Sequence, residues 1–148
     1  MKEGIKTPCI GVCSTVFGDN VCRGCKRFVH EVIDWNRYTQ DQKRAIDRRL
    51  EQILTQIVTG KFLILDEKLL MSQLDTQNIV YPVYRNHYCS LYELLRAGAK
   101  QIQDTRQYGF LVLPAYRDVS LVELKDVIDR EYYEFSQAYY SRYIAITV

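Results

Sequence analysis

The rhythm of apolar positions changes near residue 60. Before it, large apolar side chains recur at helical spacing; after it, they gather in short β-branched and aromatic runs. In residues 26–35, Phe28, Val32 and Trp35 fall at i, i+4 and i+7 with Val29 and Ile33 alongside, which predicts a short helix with one apolar face. A second helix starts at Thr39, where Gln42 three residues later completes a capping box. Its stripe runs through Ile46, Leu50, Ile53, Leu54, Ile57 and Val58, and Gly60 ends it by taking the left-handed conformation at little cost. Together these segments predict a helical hairpin.

Beyond residue 60, the runs 62–65, 79–84 and 110–113 suit strands. Tyr81-Pro82-Val83-Tyr84-Arg85-Asn86 is echoed by Leu113-Pro114-Ala115-Tyr116-Arg117-Asp118. Each copy precedes a capping box and helix, at Ser90–Glu93 and Ser120–Glu123. A duplicated strand–helix unit and chance reuse of good turn chemistry both account for this echo. Both prolines suit strand ends, since proline donates nothing to a ladder. The last helix is expected from Leu121 towards Tyr140, and a short strand over 143–148. The fold class expected is therefore α+β: a cysteine-bearing segment and helical hairpin over 1–60, then a small α/β region over 61–148.

Composition sets the class of protein. Of 148 residues, 47% are hydrophobic and 26% charged, enough for a packed core and far from a disordered composition. No signal-peptide apolar run opens the chain and no stretch reaches bilayer-spanning length, so a soluble, cytoplasmic protein without a membrane partner is expected. Residues 1–61 carry 11 Lys/Arg against 7 Asp/Glu, and residues 62–148 carry 9 against 11, so the mild basic excess sits on the cysteine-bearing part.

Residues 8–25 are short and rich in cysteine, glycine and turn formers, too poor in apolar side chains to order themselves without a crosslink. Cys9, Cys13, Cys22 and Cys25 are spaced C-x3-C-x8-C-x2-C. Four close thiolates repel unless a cation neutralises them, and in a reducing compartment such spacing points to one metal centre rather than to disulfides. Zinc and an iron–sulfur cluster both accept four sulfurs, and the ligand set does not separate them. Gly24 suits a tight knuckle, and the helix start beside Cys25 favours thiolate charge. Cys89, between Tyr88 and Tyr92, reads as a small buried hydrophobe.

Pro8-Cys9-Ile10-Gly11-Val12-Cys13, then Cys22-x-Gly24-Cys25-x-Arg27, Glu31-Val32 and Trp35 resemble the DUF1289 family of small bacterial cysteine-motif proteins. The resemblance covers about residues 8–45. It implies that the four cysteines are the ligands and that Trp35 packs the following helix beside them, and the family's usual label implies an iron–sulfur centre. Phe28 stands where that family often has a small hydroxyl residue, which weakens a hydroxyl cap after Cys25 and leaves the ligands untouched.

Other candidates carry less. His30 reads as an exposed helix residue, and His87-x-Cys89 as a pair too common to mark a second site. Lys43, Arg44, Arg48 and Arg49 read as a solvated face opposite the apolar stripe, relieved by Asp41, Asp47 and Glu51. Arg85 and Arg117 read as partners of local acids or tyrosines. Tyr132, Tyr133, Tyr139, Tyr140 and Tyr143 form either a partner surface or core with polar tips. No phosphate loop, Ser/His/Asp set or H-E-x-x-H motif is present.

The function expected is a metal-binding accessory or protein-interaction module rather than an enzyme. Phe28 and Trp35 would support its site, and the tyrosine-rich C-terminal region would meet a protein partner. The alternatives are an iron–sulfur protein that transfers electrons or supports a redox enzyme, and a zinc knuckle that binds nucleic acid through Lys26, Arg27, Arg44 and Arg48.

Overall fold

The structure, a computed structural model, describes residues 20–144. Its helices are α1 (Val29–Asp34), α2 (Gln40–Thr59), α3 (Glu67–Thr76), α4 (His87–Gly98) and α5 (Leu121–Tyr143). Strands β1 (Phe62–Ile64) and β2 (Phe110–Val112) pair antiparallel, with Phe62 opposite Val112 and Ile64 opposite Phe110. The class is mixed helix with a small antiparallel sheet. The chain forms two compact units, one of Met1–Ile53 with Glu131–Val148 and the other of Leu54–Arg130.

In the first unit, Asn20 to Phe28 make a tight turn closed by an antiparallel bridge between Val21 and Phe28. The Cys22 amide donates to the Arg27 carbonyl at 2.8 Å, and the Val29 amide to that of Asn20 at 3.0 Å. Helix α1 starts here because the Glu31 carboxylate reaches back to the Phe28 amide at 2.9 Å, the glutamate half of a capping box. It gives way after one and a half turns to a 3-10 turn over Trp35–Arg37. Phe28 and Trp35 are buried as the spacing predicts, but Ile33 is 72% exposed and Glu31 is buried instead. Helix α2 opens on the predicted capping box: Thr39 Oγ1 accepts from the Gln42 amide at 3.2 Å, and Gln42 Oε1 accepts from the Thr39 amide at 2.8 Å. The last turns of α5 complete this unit, with Tyr132 Oη donating to the Leu50 carbonyl at 3.2 Å.

In the second unit, the sheet contributes Phe62 and Phe110, whose rings meet edge to face at 5.7 Å, a geometry worth about 0.5–1.5 kcal/mol beyond burial. Leu70 and Leu74 of α3, Leu91 and Leu95 of α4, and Leu124 and Ile128 of α5 are fully buried. Helix α3 is an element that the strand-like runs did not anticipate. Asp66 caps it by accepting from the Leu69 amide at 3.0 Å. Gly109 precedes β2 at φ 81°, and its carbonyl accepts from the Leu65 and Asp66 amides at 2.8 and 3.0 Å.

Several expectations are corrected here. Residues 79–84 form no strand; Val80 and Val83 are 87% and 79% exposed there. A strand needs a neighbour for its ladder, β1 and β2 take each other, and Pro82 lacks a donor. Ser90 does not cap α4. Asn86 does, accepting from the Tyr88 and Cys89 amides at 2.9 and 3.4 Å, so Ser90 lies buried inside the helix. Ser120 does cap α5, accepting from the Glu123 amide at 3.1 Å. Pro114 opens a 3-10 turn after β2, whereas Pro82 follows no strand, so the two echoed segments differ in structure. Gly60 follows α2 without a positive φ; among the described glycines Gly109 has one. Tyr143 belongs to α5, and residues 145–148 of the expected final strand lie outside the described residues.

Candidate metal centre

Cys22 and Cys25 stand at the two ends of one turn and are both buried, 2% and 7% exposed, whereas Arg23 between them is exposed. The turn is drawn tight by the Lys26 amide, which donates to the Cys22 carbonyl at 2.9 Å. That closure puts Lys26 at φ 67°, a left-handed conformation uncommon for a residue with a Cβ. Its side chain offsets the cost: Nζ donates to the carbonyls of Arg23 and Gly24, the latter at 3.1 Å, and lies 5.4 Å from the Tyr132 ring centre. The ammonium therefore ties together the same turn that carries the thiols.

Arg27 approaches the cysteine turn from the other end. Its Nε donates to Cys25 Sγ at 3.2 Å, and its guanidinium lies 4.9 Å from the centre of the Trp35 ring. Lys43 places a second cation 5.5 Å from that ring. Burial pushes the Cys25 thiol above its ordinary range, and proximity to Cys22 adds to the rise. The Arg27 side chain and backbone amide, both hydrogen-bonded to the sulfur, oppose it together with the Arg27 charge. A sulfur that is costly to ionise alone, yet already faced by donors, suits a ligand whose proton leaves when a cation arrives.

Phe28 supports the turn from beneath. Tyr140 meets its ring edge-on at 5.1 Å and Tyr139 stacks at 6.1 Å, both from α5. The Arg49 guanidinium lies 3.9 Å from the Phe28 ring centre and forks onto Glu31, with Nη1 to Oε2 at 2.7 Å and Nη2 to Oε1 at 2.6 Å. Arg23 covers the Tyr133 ring at 4.5 Å. Turn residues 23, 26 and 28 thus each meet an α5 tyrosine.

The remaining sequence candidates are placed as follows. Cys9 and Cys13 lie outside the described residues. Among the described residues, no group of three or more His, Cys, Asp or Glu converges to hold a metal, and no cysteine is in a disulfide. The donor set that is described fits its half of the expected site: two buried thiols in C-x2-C spacing, with N–H donors from Arg27 at the Cys25 sulfur. Lys26 and Arg27 are buried, 1% and 3% exposed, whereas Arg44 pairs with Asp41 at 2.8 Å and Arg48 is exposed. Arg49 and Asp47 do not belong to a solvated face: Asp47 is 5% exposed and the Arg49 side chain 12%. The signal for Arg49 was its place three residues after Ile46, on the flank of the apolar stripe. His30 is exposed, and Cys89 is buried with Thr55 Oγ1 3.6 Å from its sulfur.

In the second unit, an open groove of about 500 Å³ is bordered by Glu67, Met71, Asp75 and His87, with His87 Nδ1 and Glu67 Oε2 3.1 Å apart. Among the described residues, no helix is long and apolar enough to cross a membrane. No curated protein and no solved structure matches the chain. The segment that holds all four cysteines, α1 and most of α2 does match: residues 7–54 fit the family DUF1289, described as a protein of unknown function.

Proposed function

We propose that this chain is a metal-binding accessory or protein-interaction module, with one centre held by Cys9, Cys13, Cys22 and Cys25. The observation that carries the reading is the turn around Cys22 and Cys25. Both thiols are withdrawn from solvent, and an arginine hydrogen bond meets one of the sulfurs. A buried cation beside a sulfur is favourable when that sulfur carries negative charge, as a metal-bound thiolate does. Zinc in such a site crosslinks the segment, while a cluster adds one-electron chemistry, which belongs to the reading of an electron-transfer protein or redox-enzyme partner. The partner surface in this reading is the outer aromatic side of α5, where Phe135 and Tyr143 are 47% and 53% exposed.

The nucleic-acid reading has less support. Burial of Lys26 and Arg27 leaves Arg44 and Arg48 to meet phosphates, and Arg44 already has a carboxylate partner. The deciding experiment is elemental analysis of anaerobically purified full-length protein, with about one centre expected per chain. Zinc without visible colour supports the accessory module. Iron with acid-labile sulfide supports the electron-transfer reading. A metal content near zero that does not rise on reconstitution with either metal overturns both.

A further inference from the structure

We infer that Arg27 is the positioning residue of the cysteine centre, holding the Cys25 sulfur through its Nε–H and supplying the buried positive charge that a thiolate-rich site requires. The inference rests on the metal reading above and assigns a role within it. Arg27 is 3% exposed, and a guanidinium keeps its charge at any ordinary pH. Among the described residues no carboxylate pairs with it, in contrast to Arg49, which forks onto Glu31. A buried cation without an anion is costly, and the group that meets this one is a sulfur. Guanidinium N–H groups only donate, so Cys25 must accept, and a thiolate accepts far better than a thiol.

Arg27 is also held where a positioning group should be. Trp35 fixes the guanidinium by stacking 4.9 Å away, and the Arg27 carbonyl accepts from the Cys22 amide at 2.8 Å. One residue therefore grips both cysteines, Cys22 through its backbone and Cys25 through its side chain. Four thiolates around a dication leave about two surplus negative charges, and Arg27 offsets one of them inside the fold. Lys43 is a natural control: its ammonium lies 5.5 Å from the same Trp35 ring, and among the described residues it makes no hydrogen bond to either sulfur.

The test uses full-length protein and cobalt(II) under anaerobic conditions, comparing the parent chain with Arg27→Gln, Arg27→Lys and Lys43→Gln. Affinity is read by chelator competition, electronic effect by the energy of the sulfur-to-cobalt charge-transfer band, and folding by circular dichroism. Arg27→Gln should weaken cobalt binding by about 10–100-fold, the usual cost of losing a group that orients a ligand. Its charge-transfer band should move to longer wavelength, because a sulfur without its donor and cation holds electrons less tightly. Arg27→Lys keeps the charge and loses the Nε–H geometry, so its band should shift part of the way. Lys43→Gln should bind within about twofold of the parent with no shift. An unshifted band and parental affinity in Arg27→Gln overturn the inference; should that variant fail to fold, an unshifted band in Arg27→Lys does so. A parent chain that gives no four-thiolate cobalt spectrum removes the metal reading and the inference with it, whereas a normal parent with unaffected Arg27 variants removes the inference alone.

Discussion

Replacing Arg49 with methionine should be among the most damaging single changes in the first unit. The side chains of Arg49 and Glu31 are 12% and 6% exposed, so their two short contacts are little screened by solvent. Methionine retains an apolar stem against Phe28 but strands the Glu31 carboxylate, which then keeps the Phe28 amide as a partner. Breaking a buried pair from one side costs about 3–5 kcal/mol, most of it the penalty of the charge left behind. Loss of the cation above Phe28 contributes about 1 kcal/mol, partly regained by the methionine. We expect a net loss of about 3–4 kcal/mol, a large share of the roughly 5–15 kcal/mol by which a domain is stable. With a urea slope of about 1.5–2 kcal/mol/M, the midpoint should fall by about 2 M. Trp35 is the single tryptophan of the chain and lies buried in this unit, so its fluorescence follows the transition directly. Neutralising the stranded acid should recover much of the loss: Arg49→Met with Glu31→Gln should be about 2 kcal/mol more stable than Arg49→Met, because glutamine still accepts from Phe28. A single-variant loss below about 1 kcal/mol, or a double variant less stable than Arg49→Met, would refute the argument that an ion pair pins α1 to α2.

Three further outcomes are expected. Gly109→Ala places a Cβ 2.4 Å from the Asp66 carbonyl oxygen at φ 81°, so thermal unfolding should show a loss of about 2–3 kcal/mol or more; a neutral effect would contradict the close approach. Replacing Cys22 and Cys25 by serine should abolish metal binding and quicken hydrogen exchange over residues 20–35 and 131–144, leaving 54–130 protected, and uniform loss of protection would show that the second unit depends on the centre. Burial holds the Glu93 carboxyl above its ordinary range, against the opposing charges of Arg96 and Arg85. Its contribution to stability is therefore complete below the unfolded carboxylate pKa and is lost as pH rises through the higher folded value. Thermal melts between about pH 4 and 7 should show a smaller decline with rising pH in Glu93→Gln than in the parent, and a steeper decline would reverse the sign.

Much of the local structure was legible because it rests on neighbours in sequence. Helix α2 announced itself through Thr39, Gln42 and its stripe, and β1 and β2 through short apolar runs. The misreadings share a cause. Residues 79–84 have strand composition, but pairing is settled by what lies alongside, and Pro82 weakens any ladder there. Ser90 and Glu93 have cap spacing, yet Asn86 offers an equally good cap four residues earlier, and the longer helix buries more of Cys89, Leu91 and Tyr92. Helix α3 had a capping aspartate at Asp66 and leucines at 70 and 74, a short pattern easily passed over beside stronger ones.

The sequence by itself determined where α2 and α5 begin, which runs are apolar, and that Cys22 and Cys25 share a turn. Those properties depend on side chains within a few residues of each other, whose spacing is fixed by the backbone. It did not determine which charged residues face inward. Lys26, Arg27 and Arg49 look alike in the chain as members of a basic set, and the tertiary structure gave them three different partners: turn carbonyls, a sulfur and a carboxylate. Nor did it settle that α5, more than a hundred residues away, brings Tyr132, Tyr133, Tyr139 and Tyr140 against Lys26, Arg23 and Phe28. A charge is stable in the interior only when a matching group arrives with it, and that arrival depends on distant segments meeting in space, which no local pattern records.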